Sequence, residues 1–194
     1  MTAVVPEPGA RVMALPEARI RPVRPVNALV GVDPVHCRPA VHGAALAAHH
    51  AIRRAVFVEE QGLFDESDVD AHDARDDVIH VLATHLGRPA GTVRLYPIGP
   101  DEWLGDRLAV LPQYRAAAIG GPLVRFAVDT AGARDGRIMH AHVQVANERF
   151  FHRLGWATAG EIETYVGTPH VPMQIALTPP QTEWLTGPKR IMEP

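Results

Sequence analysis

Cysteine is nearly absent from this 194-residue sequence, in which Cys37 is the only one. A single thiol cannot form an intrachain disulfide, and it excludes both a disulfide scaffold and a CxxC zinc site. Long apolar runs are also missing, since nowhere do 18 apolar residues follow one another and the first thirty residues hold no long apolar stretch. We therefore predict neither a membrane span nor a signal peptide, and we expect a protein of the reducing cytoplasm.

An excess of either charge is missing too. The chain has 19 Lys and Arg against 22 Asp and Glu, for a formal net charge of -3. Such a chain has no general attraction for phosphate backbones or anionic lipid, which disfavours nucleic acid and membranes as partners. Apolar residues make up 46% of the chain, as in an ordinary globular protein, and its length suits one domain.

Proline concentrates at the beginning of the chain, at positions 6, 8, 16, 22 and 25, where the apolar residues show no periodicity. Proline discourages both helices and central strands. We therefore predict an extended arm over residues 1–33, one domain over residues 34–178, and a short tail over residues 179–194.

Apolar periodicity within this domain predicts a mixed α/β layer. We expect strands at 35–40, 78–85, 91–96, 107–111, 138–145, 156–162 and 171–177, and helices at 42–60, 120–136 and 147–154. The second and third strands are joined by Gly87-Arg88-Pro89-Ala90, a turn of hairpin length, and should pair antiparallel.

Nine acidic residues crowd the segment 59–77. The segment lacks the glycine and terminal Glu of an EF-hand, and the chain has no His-Glu-x-x-His motif, so we predict no metal site. Two interpretations stay open: a solvated acidic loop, or a negative rim that attracts a cationic amine.

The segment from Arg107 to Val124 carries the clearest chemistry. A strand ends, a loop of small residues follows, and a helix begins at about Gly120. Consecutive backbone N–H groups and the positive end of the helix then point at one spot, which favours an anion. Small residues let a phosphate approach the backbone closely.

This loop resembles the acyl-CoA signature of the GCN5-related N-acyltransferases (the GNAT superfamily), Arg/Gln-x-x-Gly-x-Gly/Ala, through Arg115 and Gly120. Ala118 stands where the family usually has its first glycine, and alanine is strained there if the position needs a positive φ. Further resemblance lies in Asn147–Trp156, which matches the family's later helix, and in two shorter segments, Ala55–Gly62 and Pro169-His170-x-x-Met173.

The resemblance implies a mixed, mostly antiparallel sheet of six to seven strands with helices on both faces. More narrowly, the chain resembles a bacterial branch encoded near nitrilase-type nitrogen-assimilation genes. A fainter similarity, through Arg54-x-x-Phe57, Asp68, Asp70 and Arg94, is to acyl-homoserine-lactone synthases, which share the fold.

Acetyl-CoA or another acyl-CoA is the cofactor that the resemblance implies, held mainly by backbone N–H groups. Val110 would contact the acyl carbonyl and pantetheine arm, the loop from Arg115 the pyrophosphate, and Asn147 the pantetheine, unless Asn147 only caps its helix. The residues implied in binding are Leu108, Ala109, Val110, Arg115, Ala116, Ala117, Ala118, Ile119, Gly120, Gly121, Asn147 and Phe151.

The catalytic groups are harder to assign. Many relatives place a tyrosine acid where this chain has Phe151, although a thiol with an ordinary pKa of about 8.5 can leave without an acid. For the base we select His142, which shares one polar face of a predicted strand with His140 and Gln144. The alternative is that these histidines have only a structural role. Rival bases are Glu60 and His170, and the predicted substrate contacts are Phe57, Arg94 and Gln144.

The activity implied is transfer of an acetyl group from acetyl-CoA to a small-molecule amine, without a metal. One alternative is a non-catalytic module that holds acyl-CoA or docks on a partner, and a lower one is an acyl-homoserine-lactone-synthase-like enzyme. A homodimer or a partner enzyme stays open.

Overall fold

The computed structural model describes residues 34–178. The predicted arm at 1–33 and tail at 179–194 lie outside these residues. The strands are β1 (Val35–Pro39), β2 (Ile79–His85), β3 (Arg88–Pro97), β4 (Glu102–Val110), β5 (Ile138–Gln144), β6 (Ala157–Thr158), β7 (Glu163–Tyr165) and β8 (Thr168–Ala176). The α-helices are α1 (Gly43–Arg53), α2 (Gly120–Gly132) and α3 (Glu148–Arg153). No helix among the described residues is long and apolar enough to cross a membrane.

All eight strands join one mixed sheet in the order β1-β2-β3-β4-β5-β8-β6, with β7 paired to β8. Neighbours are antiparallel except β4 and β5, which run parallel. The predicted fold class and the β2–β3 hairpin are confirmed. The sheet has eight strands, whereas six to seven were expected, because the short strand β7 was not predicted. The strand predicted at 156–162 is also shorter than expected and covers only Ala157–Thr158.

Helices cover both faces of the sheet, each over its own apolar core. Val81 and Ala83 of β2 belong to the core beneath α2, whereas Leu82 between them belongs to the core beneath α1. This alternation follows from the two-residue period of a strand. On α1 and its continuation, the buried side chains are His49, Ile52, Arg53, Val56 and Phe57, which recur at helical spacing. The continuation, Arg54–Glu60, is a π-helical stretch.

The acidic segment that follows is anchored by buried arginines. Arg53, which is 0% exposed, binds Asp68 at 2.7 Å and also binds Asp73. Arg94, also 0% exposed, binds Asp73 at 2.8 Å and Asp70 at 2.6 Å. Burial alone would raise the pKa of Asp73, but the hydrogen bonds from Arg53 and from the Asp70 backbone hold it well below its ordinary value. The prediction of a solvated acidic loop is therefore wrong for Asp68 and Asp73, because distant arginines neutralise them.

A β-bulge divides β4. Thr92 of β3 faces Ala109 and Arg94 faces Asp106, so two steps on β3 match three on β4. Arg107 sits in the bulge with a φ of 51°, and its guanidinium binds Asp70 at 2.9 Å. The extra residue moves the later part of β4 to the opposite phase: Trp103 belongs to the core beneath α2, whereas Ala109, six residues later, belongs to the core beneath α1. The predicted strand at 107–111 is thus only the second half of β4.

Candidate functional site

The candidate site begins where β4 and β5 separate. The two strands pair only from Glu102 with Ile138 to Leu104 with His140. Beyond this point β4 continues beside β3 while β5 continues beside β8, so a gap opens between them. The bulge promotes the separation because a bulged strand bends and twists away from its neighbour.

The edge of β4 presents backbone groups to this gap. Leu111 donates its N–H to the Ala90 carbonyl on β3 at 3.0 Å. Because successive residues of a strand direct their N–H groups to opposite sides, the N–H of Val110 points into the gap. The Val110 carbonyl is accordingly reached from that side by the Nε of Arg115, at 3.3 Å. The cleft therefore has one polar edge built from the main chain.

After β4 the chain forms a 3₁₀ turn, Pro112–Ala117, and then α2 begins at Gly120. Ala118, between them, has φ 55° and ψ 33°, which is the left-handed conformation. The departure from the glycine of the family signature is therefore a strained one, of the order of 1–2 kcal/mol for an L-residue. The loop therefore has the left-handed backbone conformation that glycine favours, but with alanine at this position.

Gly120 permits a close approach between α2 and α3. A Cβ atom on Gly120 would lie 3.2 Å from Cζ of Phe150, which is tighter than ordinary van der Waals contact. At Gly121 a Cβ would meet only the flexible end of Arg125, at 3.4 Å. The first two residues of α2 thus carry no side chain, and both line the cleft described below, where their N–H groups can meet an anion.

One cleft of about 770 Å³ unites these features. Nine of the twelve predicted cofactor contacts line it: Leu108, Ala109, Val110, Arg115, Ala118, Gly120, Gly121, Asn147 and Phe151. Glu60 and Gln144 line it as well, whereas Ile119 is buried in the core. Asn147 makes no side-chain cap to α3, which leaves its amide available to the cleft. Residues from four separate segments therefore converge on a single site.

Three arginines surround the cleft, Arg115, Arg125 and Arg153, of which the sequence analysis named only the first. Arg115 donates to Glu60 at 2.6 Å, and this hydrogen bond lowers the pKa of the Glu60 carboxyl. Glu60 is the only carboxylate among the lining residues, so the cleft favours an anionic ligand. Arg125 and Arg153 were missed because an exposed arginine on a helix has no local signature.

A second group of side chains lies on the sheet face where Gln144 is found. The Nδ1 of His142 contacts a Glu163 carboxylate oxygen, and its ring stacks on Tyr165 at 5.7 Å between centroids. Tyr165 also meets the His170 ring at 5.3 Å, edge to face. The short β7–β8 hairpin therefore packs its aromatic ring against histidines of both β5 and β8.

This second group is distinct from the main cleft. His142 and His170 are absent from the residues that line the cleft, and Gln144 is the residue of β5 that reaches it, through a 3.1 Å bond to Gln61. The sequence did not indicate Glu163 or Tyr165, because β7 is three residues long and its partners are distant in the chain.

The other predicted substrate contacts lie inside the protein. Phe57 belongs to the core beneath α1. Arg94 is committed to the buried carboxylates Asp70, Asp73 and Asp106. Neither side chain reaches the wall of the cleft, so their roles in substrate binding stay predictions that the geometry does not favour. Within residues 34–178 no cluster of three or more His, Cys, Asp or Glu side chains is placed to hold a metal.

A small apolar cavity, which we call the apical cavity, closes the deep end of the cleft. Its volume is about 20 Å³. Gly105 and Leu108 of β4 and Met139 and Ala141 of β5 form its sides, at the level where the two strands separate. Leu108 and Phe151 line both the cleft and the apical cavity, so the two are adjacent.

Comparison with known proteins links this architecture to one group. A family model described as "Acetyltransferase (GNAT) family" matches residues 47–156, more than half of the chain. The protein named "Putative acetyltransferase BSU40680", from Bacillus subtilis (strain 168), is 34% identical over 123 residues, which cover 63% of this chain and 83% of that protein.

Solved structures show the same fold. Escherichia coli ElaA superposes with a TM-score of 0.65 at 20% identity, covering 72% of this chain and 98% of that one. BjaI, a CoA-dependent acyl-homoserine lactone synthase solved with SAM and isopentyl-CoA, gives a TM-score of 0.60 at 20% identity, with coverage of 74% and 82%. At this level of identity the likeness is one of fold alone.

Proposed function

Because the chain belongs to the acetyltransferase (GNAT) family, we propose that it is an N-acetyltransferase that uses acetyl-CoA to acylate a small amine. The observation that carries the proposal is the union of two anion- and carbonyl-binding elements in one cleft of about 770 Å³. One is the pair of glycines that begins α2, and the other is the unpaired edge of β4 at Val110. The narrower resemblance to a branch encoded near nitrogen-assimilation genes fixes no particular acceptor.

The residues of the cleft fit such a donor. The N–H groups from Ile119 to Gly121, with Arg115 and Arg125, would bind the pyrophosphate, because helix N-termini and guanidinium groups both attract phosphate. The edge of β4 would align the pantetheine arm. The donor supplies a thioester, an activated acyl group attached to a thiol leaving group.

At the reacting carbon, a bond from the amine nitrogen forms as the carbon–sulfur bond breaks, and the amine loses a proton. We propose that the Val110 N–H donates to the acyl oxygen, whose negative charge develops during attack. Phe151 has no hydroxyl to protonate the sulfur. We propose that the thiolate leaves unassisted, since a thiol ionises with a pKa of about 8.5.

Two groups compete for the role of base. Glu60 lies in the cleft, but Arg115 lowers its pKa, which weakens it as a base while that pair persists. His142 lies on the neighbouring face and is oriented by its contact with Glu163. We propose His142 as the base and Glu60 as a carboxylate that attracts the ammonium form of the acceptor. His170 donates its Nδ1–H to the Thr168 carbonyl at 2.8 Å, so it is better suited to supporting Tyr165.

Binding and turnover can be tested separately. Acetyl-CoA should raise the melting temperature of the protein by mass action, and an amine panel should show release of free thiol. Gly120→Glu should abolish the temperature rise because its carboxylate would repel the pyrophosphate. Gly120→Ala is the control, since it adds the Cβ near Phe150 without the charge. Normal acetyl-CoA binding by a folded Gly120→Glu protein would refute the assignment of the loop.

Two other functions would give different results. A non-catalytic acyl-CoA-binding module would show the thermal shift without thiol release for any amine. An acyl-homoserine-lactone-synthase-like enzyme is favoured only by the shared fold and by the clustering of Asp68, Asp70 and Arg94, and it would use S-adenosylmethionine as the amine. Thiol release that depends on S-adenosylmethionine alone would replace the proposed function with this one.

A further inference from the structure

The apical cavity lies in the path that the donor would follow. Gly120 and Gly121 at the start of α2 line the cleft together with Val110 of β4, and Leu108, two residues before Val110, lines both the cleft and the apical cavity. An extended group that begins at the loop and follows β4 therefore ends at the point where β4 and β5 meet. This position belongs to the far end of the donor, which is its acyl group.

We propose that the apical cavity binds the acyl group and limits it to two or three carbons, with Met139 as the residue that sets this length. The proposal rests on the proposed function, and it adds the chemical class of the donor. A volume of about 20 Å³ exceeds the roughly 10–15 Å³ that one water-sized group requires, and it lies at the lower limit of the space for two. A methyl group fits, and a third carbon requires small shifts of the walls.

Met139 lines the apical cavity from β5, and we assign it to the end of the acyl path. It is 1% exposed, and its methyl group lies only 2.5 Å from where a Cβ on Gly105 would be. The side chain of Met139 thus extends over the backbone of β4 at the last level where the two strands are close. Removing its terminal atoms would lengthen the apical cavity along the direction in which a longer acyl chain would extend.

The cavity is largely apolar. Its walls come mostly from aliphatic and aromatic side chains, including Val124, Ala127, Phe151 and Trp156, and Asp106 is the one charged residue among those that line it. An apolar cavity of this kind favours hydrocarbon over a polar or charged acyl end, because a buried polar group without a hydrogen-bond partner is destabilised. Malonyl and succinyl donors should therefore bind less well than acetyl.

The test is a series of CoA, acetyl-CoA, propionyl-CoA, butyryl-CoA and hexanoyl-CoA, titrated by calorimetry without an amine. The wild type should bind acetyl-CoA and propionyl-CoA best, and hexanoyl-CoA roughly tenfold or more weakly, as expected for overpacking a core. Met139→Ala should bind butyryl-CoA more tightly, by about fourfold for each methylene group that gains a buried site. Turnover with each donor provides a second readout.

Met173→Ala is the matched control. Met173 is also 1% exposed and belongs to the same core, but it does not line the apical cavity. The two alanine variants should lose similar stability, and only Met139→Ala should change the preference for chain length. An equal change in both variants would refute the role of Met139.

Ala141→Val addresses the case in which Met139→Ala does not fold. It adds two methyl groups to a wall of the apical cavity, so it should weaken propionyl-CoA more than acetyl-CoA. Wild-type protein that binds hexanoyl-CoA as tightly as acetyl-CoA would overturn the proposal. Failure to bind any acyl-CoA would refute the proposed function instead, so the two failures are distinguishable.

Discussion

Glu60 and Arg115 are joined by a 2.6 Å hydrogen bond across the mouth of the cleft, although 55 residues separate them in the chain. Glu60 ends the π-helical stretch after α1, and Arg115 lies in the turn before α2. If the loop binds the donor as proposed, its pyrophosphate would compete with Glu60 for Arg115. A released carboxylate would then be free to attract a cationic amine, so we expect the pair to couple binding of the donor to binding of the acceptor.

The first prediction concerns this pair. Glu60→Gln should tighten binding of acetyl-CoA by about two- to fivefold, because Arg115 would bind the pyrophosphate without first breaking an ion pair with Glu60. The effect is small because partly exposed ion pairs contribute little free energy. Calorimetry at low salt measures the effect. Glu59→Gln is the control, since Glu59 pairs with Arg54 on the surface and does not line the cleft. Weaker binding by Glu60→Gln would show that the carboxylate helps the donor bind.

The second prediction concerns the left-handed backbone at Ala118. Ala118→Gly should stabilise the protein by about 1 kcal/mol, because glycine adopts a φ of 55° without the steric cost that alanine carries. Ala116→Gly, two residues earlier in the 3₁₀ turn, should have the opposite sign, because there glycine only adds freedom to the unfolded chain. Denaturant unfolding distinguishes them. A loss of stability in Ala118→Gly would mean that this backbone is not strained.

The third prediction concerns stability in mild acid. The rings of His49, His50 and His80 lie within 5.5 Å of one another, and burial lowers the pKa of His49 to about 3. Burial lowers the pKa of the other two as well. In the unfolded chain these residues take up protons near pH 6.5. Stability is therefore complete above pH 6.5 and is lost as the pH falls toward 3.

From pH 7 to pH 5 the loss from His49 alone should be about 2 kcal/mol, before the carboxylates titrate. Urea unfolding at several pH values measures it. His49→Asn should be less stable at pH 7, because His49 donates to the Val81 carbonyl, but its stability should depend less on pH. His36→Asn, at an exposed position on β1, is the control. An unchanged slope in His49→Asn would exclude His49 as the source.

The fourth prediction concerns the base. His142→Ala should reduce turnover without changing the affinity for acetyl-CoA, because His142 contacts Glu163 outside the donor cleft. His140→Ala is the control, since His140 lies on the same face of β5 but near Glu102, at the closed end of the gap. Wild-type turnover in His142→Ala would make Glu60 the better candidate.

Local chemistry made much of this site predictable. The strand, the small-residue loop and the helix beginning at Gly120 are consecutive in the sequence, so their relative placement could be predicted from neighbouring residues. The convergence of Asn147 and Phe151 on the same cleft followed from the resemblance of a second segment. Both cases depend on the order of elements in a known fold, which sequence similarity conveys.

Long-range pairing was not predictable in the same way. Asp68 and Asp73 resemble surface residues in the sequence, and only the approach of Arg53 and Arg94 makes them internal. Tyr165 likewise gains its position from a three-residue strand, whose apolar pattern is too short to detect. Such contacts depend on which segments meet in space, and a single sequence holds no direct record of that.

The bulge in β4 also determines how fast individual backbone protons should exchange with deuterium. Ala109 directs its N–H toward β3, where the ladder should protect it, while the adjacent Val110 directs its N–H into an open gap. Two consecutive amides in the middle of an eight-stranded sheet should therefore exchange at very different rates. The rapidly exchanging amide, that of Val110, identifies a backbone hydrogen-bond donor that the sheet does not use and that a ligand can reach.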